Sequence, residues 1–68
     1  MKVFYYGKTT RAEVVAELAK YSSVRLHEAD HWEDDIYLTY VFNHNDPDDY
    51  FFRTYCFEND ILYKVITE

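Results

Sequence analysis

The sequence predicts a small α+β domain in which one helix packs on one face of an antiparallel meander sheet. One amphipathic helical segment lies near the N-terminus, and the rest of the chain shows strand-like alternation broken by short polar turns. Sixty-eight residues, 49% of them hydrophobic, can form one small core, so residues 1–68 are expected to be a single domain. Short turns join neighbouring strands antiparallel. The expected order is β-α-β-β-β(-β), in which the strand directly after the helix has the weakest signal.

A strand and a helix are expected in the first part of the chain. Lys2–Tyr6 is rich in aromatic and β-branched residues and is followed by Gly7, which predicts a first strand. Thr10 and Glu13 form a T-x-x-E capping box, so the helix is expected to begin there and to run to about Tyr21. Its apolar stripe contains Val14, Leu18 and Tyr21.

The remaining strands are recognised by residues that alternate between two faces. They are expected at Ser23–His27, Ile36–Phe42, Tyr50–Phe57 and Ile61–Ile66. Asn43–Asp49 and Glu58–Asp60 have the composition of turns. Residues 22–35 fit either a strand followed by a polar loop or a second helix. The last strands carry apolar residues on both faces, and one helix covers only one face, so the other face is expected to contact a partner or a second copy.

His27-Glu28-Ala29-Asp30-His31 matches H-E-x-x-H, the zinc-protease signature. The motif works only on a helix, where both histidines face the same way. Because the segment connects two strand-like stretches, we expect a polar loop, no enzyme, no metal site and no cofactor. Metal binding by this motif is kept as a remote alternative. Cys56, the single cysteine, is expected to be a buried apolar residue.

Charge is unevenly distributed along the chain. Residues 1–25 hold five basic and two acidic residues (net +3), and residues 26–68 hold two basic and eleven acidic residues (net -9). This balance disfavours direct binding to nucleic acid or to anionic membranes, and favours a basic protein partner. A single cysteine, no leader-like N-terminus and no long apolar run indicate a cytoplasmic protein.

Acidity, small size and aromatic content lead to a function hypothesis by analogy. The protein is expected to bind and inhibit or modulate a basic, nucleic-acid-binding partner, as phage antirepressors, nuclease inhibitors and anti-CRISPR proteins do. The nearly charge-balanced helix favours a contact patch over complete DNA mimicry. The alternative is a self-associating module that forms a homodimer. The residues expected to bind the partner are Glu28, Asp30, Trp32, Glu33, Asp34, Asp35, Asp46, Asp48, Asp49, Tyr37 and Tyr50.

Overall fold

A single short helix precedes a four-stranded antiparallel sheet in the computed structural model, which describes all 68 residues. The elements are α1 (Arg11–Leu18), β1 (Val24–Trp32), β2 (Asp35–Phe42), β3 (Phe51–Glu58) and β4 (Ile61–Thr67). The strands lie in the order β1-β2-β3-β4, and each pairs antiparallel with its neighbours. The predicted α+β meander with one helix is confirmed.

The start of α1 is the predicted capping box, but its end comes earlier than predicted. Thr10 Oγ1 accepts a hydrogen bond from the Glu13 backbone N–H at 3.1 Å, and Glu13 Oε1 accepts one from the Thr10 backbone N–H at 3.0 Å. The helix ends at Leu18 rather than near Tyr21. The Tyr21 N–H bonds to the Leu18 carbonyl three residues back, so the chain tightens and leaves the α-helical path.

The N-terminal segment is not a strand, so the prediction for Lys2–Tyr6 is wrong. It runs beside β4, where the Gly7 N–H donates to the Leu62 carbonyl at 2.7 Å and the Leu62 N–H donates to the Thr9 carbonyl at 2.9 Å. Between these bonds the chain folds into a turn, with Gly7 at a φ of 78°. The turn uses backbone N–H and C=O groups that would otherwise pair with β4, because the Lys8 and Thr9 N–H groups donate to the Tyr5 carbonyl. The segment is therefore not a strand, although its aromatic residues favour one.

Residues 28–35 are not one polar loop, so this prediction is also wrong, except for the two-residue turn at 33–34. Residues 27–32 complete β1, and a turn at Glu33-Asp34 leads directly into β2. The β1–β2 register runs from the pair Val24–Phe42 to the pair Trp32–Asp35, with one irregularity at His27. This bulge adds one residue to the strand and interrupts its alternation, which is why the pattern does not show in the sequence.

The core lies between α1 and one face of the sheet. Its buried side chains are Val14, Leu18, Leu38, Tyr40, Phe42, Tyr55, Phe57 and Leu62. Core and open-face residues alternate along β2 and β3 as predicted, but the alternation expected for Ile61–Ile66 breaks after Leu62. A register irregularity beside Tyr63 places Leu62 and Val65 together on the core side. The helix does not cover β1, in which Val24 is half-buried and the other eight residues are exposed.

Candidate functional site

The sheet has an open face, which is the face opposite α1. The register places Asp30, Tyr37, Cys56 and Lys64 in one row across it, and Glu28, Thr39, Thr54 and Ile66 in the next. These side chains alternate along each strand with those that enter the core. The Thr39 and Thr54 hydroxyls are hydrogen-bonded at 2.9 Å near its middle. The open face is therefore polar at its centre, with aromatic residues toward both ends.

Two hairpin turns meet at one end of the sheet, as the alternation of turns in a meander predicts. The Asn59 N–H donates to the Asp34 carbonyl at 3.2 Å, and Asp35 on β2 pairs with Glu58 on β3. We call this region the acidic end, and it consists of Glu33, Asp34, Asp35, Glu58 and Asp60. Five carboxylates from two hairpins are thus gathered on adjacent turns and strand ends.

The carboxylate of Asp35 orients two aromatic side chains at the acidic end. Its Oδ2 accepts hydrogen bonds from the hydroxyls of Tyr37 and Tyr63, both at 3.1 Å. Partial burial raises the pKa of Tyr63, and the neighbouring Tyr37 hydroxyl and Asp35 carboxylate raise it further. The Tyr63 hydroxyl therefore stays a protonated donor, and the bonds to Asp35 hold both rings beside the negative charges.

Trp32 stands at the same end and is not folded onto the core. It is the last residue of β1, it pairs with Asp35, and 70% of its surface is exposed. The two turn carboxylates, Glu33 and Asp34, follow it directly. A large apolar ring thus lies in solvent among carboxylates, which is the composition expected of a contact residue.

The carboxylates of the sheet have almost no basic partners within the molecule. Of the eleven acidic residues in 26–68, only Asp60 forms an ion pair, with Arg11 Nε at 2.9 Å. The two other ion pairs of the protein, Lys2–Glu13 and Lys20–Glu17, lie on or near α1. Four of the five carboxylates of the acidic end, those of Glu33, Asp34, Asp35 and Glu58, are therefore available to an external cation.

Four of the predicted partner-binding residues lie at the opposite end of the sheet. The loop between β2 and β3 carries Asp46, Asp48 and Asp49, and Tyr50 follows it. Asp46 has a local role, because its Oδ1 accepts a bond from the Asp48 N–H at 3.0 Å. Tyr50 packs edge-on against Phe52 at 5.8 Å. The eight residues of β2 separate this loop from the acidic end by about 25 Å.

The predicted partner-binding residues therefore fall into separate places. One set lies at or directly beside the acidic end: Trp32, Glu33, Asp34, Asp35 and Tyr37. A second set, Glu28 and Asp30, lies on the open face of β1. A third set lies in the loop between β2 and β3: Asp46, Asp48, Asp49 and Tyr50. The structure brings the first two sets onto one continuous surface and leaves the third apart.

The H-E-x-x-H motif lies on a strand, and the bulge at His27 breaks the alternation, so its two histidines lie on opposite faces. His27 sits at the bulge and packs on Phe52 of the open face, with ring centroids 4.9 Å apart. His31 pairs with Ile36, whose side chain packs against the core on the other face. No cluster of three or more His, Cys, Asp or Glu side chains has the arrangement of a metal site. Burial raises the pKa of the Cys56 thiol, which disfavours the reactive thiolate.

Two features of the surface escape the sequence pattern. One is Tyr63, which the β4 bulge turns toward Asp35. The other is an apolar groove of ≈ 650 Å³ between α1 and β1. Its apolar lining consists of Ala12, Val15, Leu26, Leu38 and Tyr40. The sequence does contain one signal for the groove. Val14 fills the core, so the second apolar residue beside it, Val15, widens the apolar stripe of the helix beyond the core contact and leaves a side chain to line the groove.

No helix in the structure combines the length and apolar character needed to cross a bilayer. Comparison of the chain with protein-family models, curated proteins and solved structures finds no match.

Proposed function

We propose that the protein binds a basic partner protein through the acidic end and the adjoining open face, and thereby inhibits or modulates that partner. The observation that carries the proposal is Trp32, a tryptophan that is 70% exposed and is followed by Glu33 and Asp34, neither of which forms an ion pair. Exposed aromatic anchors surrounded by polar groups are the usual energetic centre of protein interfaces. The carboxylates add attraction at long range, which speeds the encounter and fixes its orientation.

The class of partner follows from two properties of the acidic end: its charge is negative, and its carboxylates stand on two adjacent hairpins. Nucleic-acid-binding proteins carry basic surfaces that bind rows of phosphates. Carboxylates on two adjacent hairpins, with Asp35 held by Tyr37 and Tyr63, present fixed negative charge to such a surface. Covering the basic surface would exclude nucleic acid from it, which makes inhibition the expected consequence of binding.

A local patch fits the structure better than mimicry of DNA over the whole surface. The acidic residues of the loop between β2 and β3 lie about 25 Å away, with the uncharged pair Thr39–Thr54 between the two ends. α1 has two acidic and one basic residue and adds little net charge. We therefore place the contact at the acidic end, including Trp32 and the open-face residues Glu28 and Asp30.

The test is capture of the partner from a lysate of the source organism, with elution by a salt gradient and identification by mass spectrometry. The captured protein is then titrated with a Glu33→Lys/Asp34→Lys variant and with a matched Asp48→Lys/Asp49→Lys variant. Both variants change the net charge by the same amount, but only the first alters the acidic end. We expect the first to weaken binding at least about tenfold, which equals about 1.4 kcal/mol, and the second to leave it nearly unchanged.

Two results would contradict this proposal. Equal weakening by both variants would mean that only net charge matters, and unchanged affinity in both would remove the acidic end as the binding surface. Trp32→Ala gives an independent check, since loss of a central tryptophan costs about 2 kcal/mol or more.

Self-association through the open face is a second candidate, favoured by two exposed apolar side chains on β4. Tyr63 and Ile66 are 40% and 39% exposed and lie on this face. Apolar association would persist in 1 M salt, where the Debye length falls to about 3 Å, whereas capture by carboxylates would weaken. Sedimentation equilibrium at low and high salt distinguishes the two, because only the self-associating module would show a salt-independent dimer mass.

A further inference from the structure

We propose that an extended segment of the partner, in which apolar and basic residues alternate, binds as a fifth strand along β1 with its apolar side chains in the groove between α1 and β1. The inference rests on the proposed function, because it takes the partner to be basic. It adds the mode of binding and the residue pattern that the protein recognises.

The first support is that β1 is an unprotected sheet edge. It is nine residues long and pairs only with β2. The opposite edge, β4, is partly covered by the N-terminal segment through the Gly7–Leu62 and Leu62–Thr9 backbone bonds. An edge strand presents a row of unpaired N–H and C=O groups, which is the template for addition of a further strand.

The register identifies the backbone groups that point away from the sheet. Trp32 and Asp35 close a two-residue turn, so they form a hydrogen-bonded pair. From there, hydrogen-bonded pairs alternate with pairs whose backbone groups point away from each other, and the pairs His31–Ile36 and Ala29–Leu38 are of the second kind. The N–H and C=O groups of His31 and Ala29 therefore point to the free edge. The hydrogen bonds agree, because the His31 N–H donates not to β2 but to Asp30 Oδ1 at 2.8 Å.

Asp30 thus occupies one of the donors that an incoming strand needs. A carboxylate on an outward N–H discourages unselective pairing between edges. A basic side chain on the incoming strand offers Asp30 a charged partner and frees the N–H for a backbone bond. The same residue therefore favours a basic segment over a neutral one.

The groove between α1 and β1 determines which side chains suit the face of the added segment that lies over it. Leu26 and Val15 line it from opposite walls and are 47% and 40% exposed, which leaves apolar surface in solvent. Ala29 and His31 share the face of β1 that borders it, as their pairing with Leu38 and Ile36 shows. Every second side chain of a strand beside β1 would project on this side. Because Arg11 and Asp60 pair with each other at the groove, it offers no free charge, and apolar side chains fit it.

The open face determines which side chains suit the alternate positions of the added segment. Glu28 and Asp30 lie on that side of β1, and neither forms an ion pair. Cross-strand neighbours of opposite charge attract and like charges repel, so lysine or arginine is favoured beside them. A segment with apolar residues on one face and basic residues on the other satisfies the groove and the acids together.

The probe is a synthetic heptapeptide in which lysine alternates with valine and isoleucine, titrated into ¹⁵N-labelled protein and followed by NMR. The control peptide has the same composition with its lysines grouped together. We expect the alternating peptide to shift the amides of Ala29 and His31 most, to show contacts with Leu26, and to bind at least about tenfold more tightly than the control. Absence of binding, or equal affinity of the two peptides, would overturn the proposal.

Two variants test the geometry. Ala29→Pro removes an outward N–H without removing a β1–β2 bond, and Leu26→Lys places a charge in the groove. Each variant is expected to bind the alternating peptide at least about tenfold more weakly than the native protein does. Ile66→Lys, a matched change on the opposite strand, should not weaken it. If Ala29→Pro fails to fold, Leu26→Lys alone decides, because Leu26 is already half exposed.

The outcome separates this inference from the function on which it rests. If Leu26→Lys binds the peptide unchanged, or if shifts occur only around Trp32 and Tyr37, strand addition is wrong while the acidic end remains the contact. If strand addition occurs but Glu33→Lys/Asp34→Lys leaves capture of the natural partner intact, the proposed contact at the acidic end fails instead.

Discussion

The backbone N–H of Lys2 donates a hydrogen bond to Glu17 Oε2 at 3.1 Å, which ties the N-terminal segment to α1. Glu17 is only 5% exposed and also accepts bonds from Lys20 Nζ at 3.0 Å and the Tyr21 hydroxyl at 2.9 Å. The bond from Lys2, followed by those from Lys20 and Tyr21, lowers the pKa of Glu17 to about 2. One buried carboxylate therefore joins the start of the chain, the helix and the residues that leave it.

This arrangement predicts a stability loss in acid. The folded-state pKa of Glu17 lies below its ordinary value of 4.5, so its contribution is complete above pH 4.5 and is lost as the pH falls toward 2. We expect Glu17→Gln to lower the free energy of unfolding at pH 7 and to flatten its decline between pH 4.5 and 2, as measured by urea unfolding. Glu28→Gln, at an exposed site without an ion pair, is the control. A pH profile of Glu17→Gln parallel to that of the native protein would contradict the prediction.

The turn between β1 and β2 predicts a stabilising substitution. Glu33 has a φ of 54°, a left-handed conformation that costs a residue with a side chain about 1–2 kcal/mol. Glu33→Gly relieves this cost, less the extra entropy of glycine in the unfolded chain, so a gain of about 0.5–1 kcal/mol is expected. Asp34→Gly is the matched control and should destabilise, since Asp34 is not among the positive-φ residues. Thermal unfolding of the two variants would contradict the prediction if both shifted in the same direction.

The core predicts a large contrast between two apolar residues of β4. Leu62 is fully buried and Ile66 is 39% exposed on the open face. Leu62→Ala should cost about 2–5 kcal/mol, and Ile66→Ala less than about 1 kcal/mol. A 68-residue domain at 0.05–0.15 kcal/mol per residue has only about 3–10 kcal/mol of stability. Leu62→Ala should therefore remove a large share of the free energy of unfolding and Ile66→Ala only a small share, as measured by urea unfolding followed by circular dichroism; equal losses in the two variants would contradict the prediction.

The capping box predicts a smaller effect at the start of α1. Thr10→Ala removes the acceptor for the Glu13 N–H and should cost about 1 kcal/mol. Thr10→Ser keeps the hydroxyl and should cost only a few tenths of that amount. Denaturant unfolding measures both, and equal losses would show that the methyl group rather than the cap matters.

The sequence predicts the fold wherever alternation is unbroken and turns are short. Ile36–Phe42 alternates without interruption, and Asn59 and Asp60 adopt the two positive φ values of a tight hairpin, 50° and 66°. Prediction fails at the bulges beside His27 and Tyr63, where one extra residue shifts the alternation. Propensity alone cannot locate a bulge, because it arises from the pairing of two strands.

The candidate site is predictable in composition but not in arrangement. The acids and Trp32 are visible in the sequence, and a meander brings the two hairpin turns together. The orientation of Trp32 depends on β1 extending to that residue, which the bulge at His27 conceals. Leu26 looks like a core residue, and it is exposed because α1 lies to one side of β1.

The position of β1 also sets the order in which the molecule should open. Eight of its nine residues are exposed, and β2 alone holds it, whereas β3 and β4 are packed under the helix. Local unfolding is least costly where few buried contacts are lost, so amide exchange and protease cleavage should begin in residues 24–34. A partner strand added there would convert the most labile element into an internal strand. Slower exchange in this hairpin would then report binding directly.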